Sequence, residues 1–143
     1  ILADAVGASA DPGDPDVLWA YQAGYQRERG AHSAPFDVFR RHSQGWTPEQ
    51  AEALLEAKAL SPGLWSEGIL QRLAPPDREA ARRGLRAALR RPGVVAGVAP
   101  QVARMYAVQG IYRAYPRSPD PRRLGLWSRA AGALFGERGD IRN

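Results

Sequence analysis

Pro75-Pro-Asp-Arg-Glu-Ala-Ala-Arg-Arg-Gly-Leu-Arg-Ala-Ala-Leu-Arg-Arg91 is the stretch on which the reading of the fold turns. Its apolar residues recur at helical spacing, so Ala81, Leu85, Ala88 and Leu89 form a narrow stripe. Arg78, Arg82 and Arg86 stand four apart on another face, with Arg83, Arg90 and Arg91 nearby. Like charges at that spacing repel by roughly 0.2–0.5 kcal/mol per pair on an isolated helix. A solvated helix gains nothing from the arrangement, so the pattern points to something anionic opposite it.

Working outward, the same punctuation recurs along the chain. A small or capping residue is followed by proline and then by an apolar pattern of helical period. Asp14-Pro15, Thr47-Pro48, Ser61-Pro62 and Asp120-Pro121 are direct cases. Ser33-Ala34-Pro35 and Ala74-Pro75-Pro76-Asp77 are looser, and Ala99-Pro100 lacks a polar cap. Proline suits the first helical turn, where its missing N–H would be unpaired anyway. Ser, Thr or Asp before it accepts a bond from an orphan amide.

These signals predict a first helix from Pro15 to about Arg29, with Leu18, Tyr21 and Tyr25 on one face, Trp19 beside them, and Gly30 as its end. A short second helix runs from Pro35 to Ser43, anchored by Phe36 and Phe39, with Arg40, Arg41 and His42 near its C-terminal dipole. The third opens on the capping box Thr47-Pro48-Glu49-Gln50 and buries Ala51, Leu54, Leu55 and Ala59. The fourth spans Pro62 to Leu73, and the fifth is the basic helix, closed by Pro92-Gly93. Val94–Val98 reads as a connector, either helical or extended. A sixth helix starts near Pro100 and reaches Tyr115, with Val102, Met105, Val108, Tyr112 and Tyr115 on one face. Pro116, Pro119 and Pro121 impose an extended linker. The last helix, Pro121 to Phe135, carries Leu124, Trp127, Ala131, Leu134 and Phe135 on one side and ends at Gly136. Strict apolar–polar alternation is absent, so no strand is expected.

The expected fold is therefore all-α, a single compact domain of six to seven short helices joined by turns containing proline or glycine. Residues 1–13 are expected to be an extended or poorly ordered lead-in, 14–136 the helical domain, and 137–143 a polar tail. At 143 residues the chain is long enough for one domain with a real core.

Charge is distributed unevenly. Residues 1–77 carry six basic and eleven acidic side chains, a net of −5, whereas 78–143 carry fourteen basic and four acidic, a net of +10. Either the halves neutralise each other or a second copy, or the C-terminal half faces an anionic partner. Lys58 is the only lysine among the 20 basic residues, and arginine forks suit carboxylates, phosphates and aromatic faces. The absence of cysteine removes disulfides, thiolate metal sites and cysteine nucleophiles and leaves the compartment open. Ile1 in place of methionine fits a processed or a trimmed chain, and no signal peptide is visible. The most apolar run, Val94 to Tyr115, is interrupted by Pro100, Gln101, Arg104, Gln109 and Arg113, so no membrane-spanning helix is expected and the domain reads as soluble.

Motifs of catalysis are missing. His32 and His42 are the only histidines, too few for a zinc site without carboxylate ligands. Gly63-Leu-Trp-Ser66-Glu-Gly68 has the wrong spacing for a nucleophile elbow. The pairs Glu52/Glu56 and Asp14/Asp16 are explained by a solvated helix face and a helix cap. No phosphate-cradling glycine loop occurs, and no cofactor is expected.

What remains is binding. The expected contact to an anionic partner comprises Arg78, Arg82, Arg83, Arg86, Arg90 and Arg91 on the basic helix and Arg117, Arg122 and Arg123 around the proline linker. Tyr106, Tyr112, Tyr115 and Trp127 add rings to these cations, a mixture used by protein interfaces and by nucleic-acid surfaces alike. The sequence supports first a non-enzymatic accessory or structural subunit that docks on a larger assembly, or on a second copy of itself. The alternative is a nucleic-acid-binding module using the same surface. The third is an enzyme or small-ligand-binding helical protein without a recognisable motif.

Overall fold

A computed structural model describes residues 2–7, 11, 13–48, 51, 73, 78, 82, 85, 86, 89, 90 and 92–136. Of these, 83% are helical and none is in a strand, so the fold is all-α over the described residues. Most of the third and fourth expected helices (49–50 and 52–72) and the polar tail (137–143) lie outside the described residues, as do Arg83 and Arg91.

Five α-helices have defined bounds: α1 (Leu2–Gly7), α2 (Pro15–Tyr25), α3 (Ala31–Ser43), α4 (Pro92–Arg113) and α5 (Pro121–Phe135). The segment read as an extended or poorly ordered lead-in contains a helical turn and a half at Leu2–Gly7. Alanine-rich sequence favours this conformation even where a capping signal is weak.

Caps placed from sequence are formed at two helix starts. Asp14 accepts a bond from the Asp16 N–H at 2.8 Å. Asp120 accepts from the N–H groups of Arg122 and Arg123 at 2.9 and 3.4 Å. Each contact satisfies an amide that the helix itself leaves unpaired, a contribution of about 1 kcal/mol. Gly136 closes α5 with φ of 75°, the left-handed backbone that a Cβ disfavours.

Three expected breaks are not breaks. Gly30 does not end the first helix. The chain continues through a π-helical segment, Gln26–Gly30, directly into α3. Ala31 N–H donates to the Gln26 carbonyl, the i→i+5 bond of a π turn. Pro35 lies inside α3 and Pro100 inside α4, where neither starts a helix. Pro100 has no N–H to donate to the Ala96 carbonyl, and Ala96 is exposed, which lowers the cost of a proline inside the helix. Val94–Val98 is helical, and Pro92-Gly93 forms the first residues of α4.

Contacts divide the chain into two units, 1–34 with 107–143 and 35–106. Helices α3 and α4 each contribute residues to both.

In the first unit the buried positions of the α2–α3 stretch are small: Ala23, Gly30, Ala31 and Ala34. The expected face of Leu18, Tyr21 and Tyr25 is not the buried one, since Leu18 is 53% and Tyr25 46% exposed. Trp19 packs inward instead, stacked on Tyr115 with ring centroids 5.9 Å apart. Tyr115 meets Trp127 edge-on at 4.8 Å, and Tyr112 meets Trp127 at 5.2 Å and Phe135 at 6.5 Å. The Trp127 Nε1–H donates to the Ile111 carbonyl at 2.9 Å, tying α5 to the last turn of α4. Val108 and Ala131 are buried, as read for these two helices, whereas Val102, placed on the same stripe, is 39% exposed and Gln109, read as a polar interruption, is buried.

The second unit buries Pro35, Val38, Leu73 and Met105. Phe39 meets Trp46 edge-on at 5.4 Å, just past the end of α3. Leu85 and Leu89, placed by the sequence on a buried stripe, are 63% and 78% exposed. Arg104 Nη1 lies 3.1 Å from His42 Nε2 and donates to Gln101 Oε1 at 3.4 Å.

Arg40 and Arg41 do more than face the helix dipole. Arg40 Nη2 lies 2.7 Å from Asp37 Oδ1, and Arg41 Nε lies 3.0 Å from Oδ2. The hydrogen bond from Arg40 and the two positive charges hold the Asp37 carboxyl below the usual aspartate value. A depressed folded-state value gives a stabilisation that is present above the ordinary aspartate pKa and is lost as pH falls through the lowered one. Both pairs are partly exposed, so Asp37→Asn is expected to cost only about 0.5–1 kcal/mol near neutral pH. That difference should vanish in acid, which urea unfolding of both proteins across pH measures.

Candidate functional site

The last turn of α4, the proline linker and one side of α5 enclose an open cleft of about 560 Å³ in the first unit. Its position follows from local sequence. Proline at 116, 119 and 121 keeps the linker out of helix, and the Asp120 cap restarts the helix at once. Trp127 then lies one and a half turns into α5, where its indole reaches back to the Ile111 carbonyl.

The floor is apolar and aromatic. Tyr115 and Pro116 are buried, and Ile111 and Trp127 are half-buried. Ala114, Leu126 and Ala130 form exposed walls, with Leu126 61% exposed. Three arginines complete the lining, and they come from three separate elements. Arg27 is on the π-helical segment and half-buried, Arg117 is in the linker, and Arg123 is in the first turn of α5.

Among the described residues, no aspartate or glutamate lines the cleft. Among the described residues, the side chains of Arg27 and Arg117 make neither ion pair nor hydrogen bond. Arg123 Nε lies 3.4 Å from Asp120 Oδ2, with the arginine side chain 72% exposed. A long, solvated pair of this kind is worth little and exchanges readily for another carboxylate. The result is a hydrophobic trough edged by planar, forked donors suited to carboxylate or phosphate oxygens.

Of the residues expected from sequence to meet an anionic partner, Arg117 and Arg123 share this cleft, whereas Arg122 is exposed but does not line it. Arg78, Arg82, Arg86 and Arg90 belong to the second unit, and each is helical and exposed. Arg27 was not anticipated. Nothing in the helical pattern marks it, because it reaches the cleft through a π turn that the sequence reading replaced with a helix end at Gly30.

Among the described residues, the ionisable groups that line the cleft are these arginines and Tyr115. Among the described residues no cluster of histidine, aspartate and glutamate gathers to hold a metal ion. No helix among them is long and apolar enough to cross a membrane. Comparison of the chain with protein-family models, with curated proteins and with solved structures finds no match.

Proposed function

We propose that the protein is a non-enzymatic accessory subunit that docks on a larger assembly, with arginine side chains forming the contact. In this reading the helical domain spans 14–136 with six to seven helices. The observation that carries the functional reading is the state of the arginines. Arg78, Arg82, Arg86, Arg90, Arg117 and Arg122 have exposed side chains without an ion pair or hydrogen bond among the described residues. Elsewhere the chain does pair its charges when a carboxylate is near, as at Asp37. Unpaired guanidinium groups beside exposed Leu85 and Leu89 resemble the Arg-rich, partly apolar composition of protein interfaces.

Affinity capture from the native source, at low and moderate salt and with and without nuclease, tests this. The expected result is a fixed set of protein partners that survives nuclease. Alanine at Arg78, Arg82, Arg86 and Arg90 together should release them. Recovery that collapses with nuclease, or falls steeply with salt at a log–log slope near −0.9 per phosphate neutralised, would replace this reading with nucleic-acid binding.

A further inference from the structure

The cleft of the first unit has a feature that the other arginines lack: an apolar floor beneath the charges. Its opening is wide, and Leu126 and Ala130 on its wall are exposed. A small molecule usually hides most of its surface in an enclosing pocket. An open trough suits a chain that lays one side chain in and leaves the rest outside. The floor is built from Tyr115, Trp127, Ile111 and Pro116, rigid groups already fixed by packing and by the Trp127–Ile111 hydrogen bond. Such a surface holds an apolar anchor with little ordering cost.

Charge decides what flanks that anchor. Arg27, Arg117 and Arg123 surround the floor and, among the described residues, no acidic side chain does, so the complementary segment is acidic. A carboxylate accepts two parallel bonds from one guanidinium, which fixes orientation as well as sign. A helix containing a π turn adds a second indication. Such turns occur frequently where a helix presents a functional residue, and Gln26–Gly30 is the segment that supplies Arg27.

We infer that this cleft is the docking site for an acidic peptide segment of a partner protein, one apolar side chain seated on Tyr115 and Trp127 and flanking carboxylates held by Arg27, Arg117 and Arg123. The inference rests on the docking-subunit reading and names the chemistry of the segment recognised.

The test uses the whole chain and fluorescein-labelled short peptides of aspartate and glutamate with one central anchor, taken in turn as phenylalanine, tryptophan, leucine and isoleucine. An alanine-centred peptide and a single-stranded oligonucleotide of equal charge serve as comparators. Fluorescence anisotropy is expected to show saturable binding of at least one anchored peptide and at least tenfold weaker binding of the alanine-centred one. Arg27→Ala, Arg117→Ala and Arg123→Ala should each weaken binding about tenfold, the loss of a charge-assisted contact. Arg129→Ala, exposed on α5 and off the cleft, should change it less than twofold. Circular dichroism of each variant confirms that the fold is retained.

Failure of every anchored peptide to bind overturns the inference, as does binding that ignores the three cleft substitutions. Equal or tighter binding of the oligonucleotide does so as well. Concentration-dependent self-association abolished by the same substitutions would make a second copy the occupant, again overturning it. Any of these outcomes leaves the docking-subunit reading standing if captured partners are still released by alanine at Arg78, Arg82, Arg86 and Arg90. If partners survive both sets of substitutions, that reading falls too.

Discussion

Trp127→Ala is expected to destabilise the protein by about 3–5 kcal/mol, the usual cost of deleting a packed aromatic ring. Trp127 joins α5 to the end of α4. Its ring meets Tyr112 and Tyr115 edge-on, at 5.2 and 4.8 Å, and its Nε1–H bonds to the Ile111 carbonyl. Edge-to-face ring pairs contribute about 0.5–1.5 kcal/mol each beyond the area they bury. The lost hydrogen bond is the smaller part, because the Ile111 carbonyl also accepts from the Ala114 N–H at 3.1 Å. Trp127→Phe keeps much of the ring packing and should cost about 1–2 kcal/mol, mainly the hydrogen bond and some contact area. Urea unfolding followed by far-ultraviolet circular dichroism measures both. An alanine variant within 1 kcal/mol of the parent would show that the aromatic cluster does not hold α5 in place.

Gly30→Val is expected to cost about 3 kcal/mol, and Gly30→Ala between about 1 and 2 kcal/mol. A Cβ at Gly30 would meet Tyr112 Cδ1 at 2.5 Å and Cε1 at 2.9 Å, with Gln26 Oε1 at 2.8 Å. The glutamine end can swing aside. The tyrosine ring cannot do so cheaply, because Trp127 and Phe135 stand against it. Ordinary helix propensity argues the other way, since alanine is favoured over glycine by about 1 kcal/mol within a helix. The close approach wins because the overlap is with a held ring. Gly110 supplies the control. It is helical and exposed, and a Cβ there meets nothing within 4 Å. Gly110→Ala should therefore stabilise by about 0.5–1 kcal/mol. Thermal melts of the two alanine variants should move in opposite directions. Movement in the same direction would mean that backbone entropy, not steric contact, sets the sign at Gly30.

The helical class was legible because capped prolines carry a mechanism. Asp14-Pro15 and Asp120-Pro121 both begin helices as read, each with its carboxylate on an amide of the first turn. The prolines at 35 and 100 misled because alanine precedes each of them. Without a side-chain acceptor there is nothing to close a helix start, and the chain runs through them as continuous helix. The α5 stripe was legible because Leu124, Trp127, Ala131, Leu134 and Phe135 differ sharply in polarity from their neighbours. The buried side of α2 and α3 was not, because Ala23, Gly30, Ala31 and Ala34 carry little hydrophobic signal. Closeness of approach, not side-chain size, selects those residues.

The candidate site divides in the same way. Arg117 and Arg123 follow from charge near a proline linker, whereas Arg27 depends on a backbone irregularity that no periodicity announces. Tyr115 and Trp127 posed a choice between core and binding surface that the structure dissolves. Each packs against other rings and also lines the cleft.

The π turn has a consequence for how the chain tolerates changes in length. Each α-helical residue advances by about 100° around the axis, so one residue more or fewer re-aims everything downstream. Gln26–Gly30 takes up one residue beyond an α turn, and the alignment of Trp19 and Ala23 with Ala31 and Ala34 depends on that surplus. Regularising this segment into an unbroken α-helix at unchanged length would swing the small side of α3 through more than a quarter turn, whereas a single deletion between 26 and 30 removes the surplus and keeps the alignment. The segment is thus one where loss of a residue is tolerated and regularity without that loss is the damaging outcome.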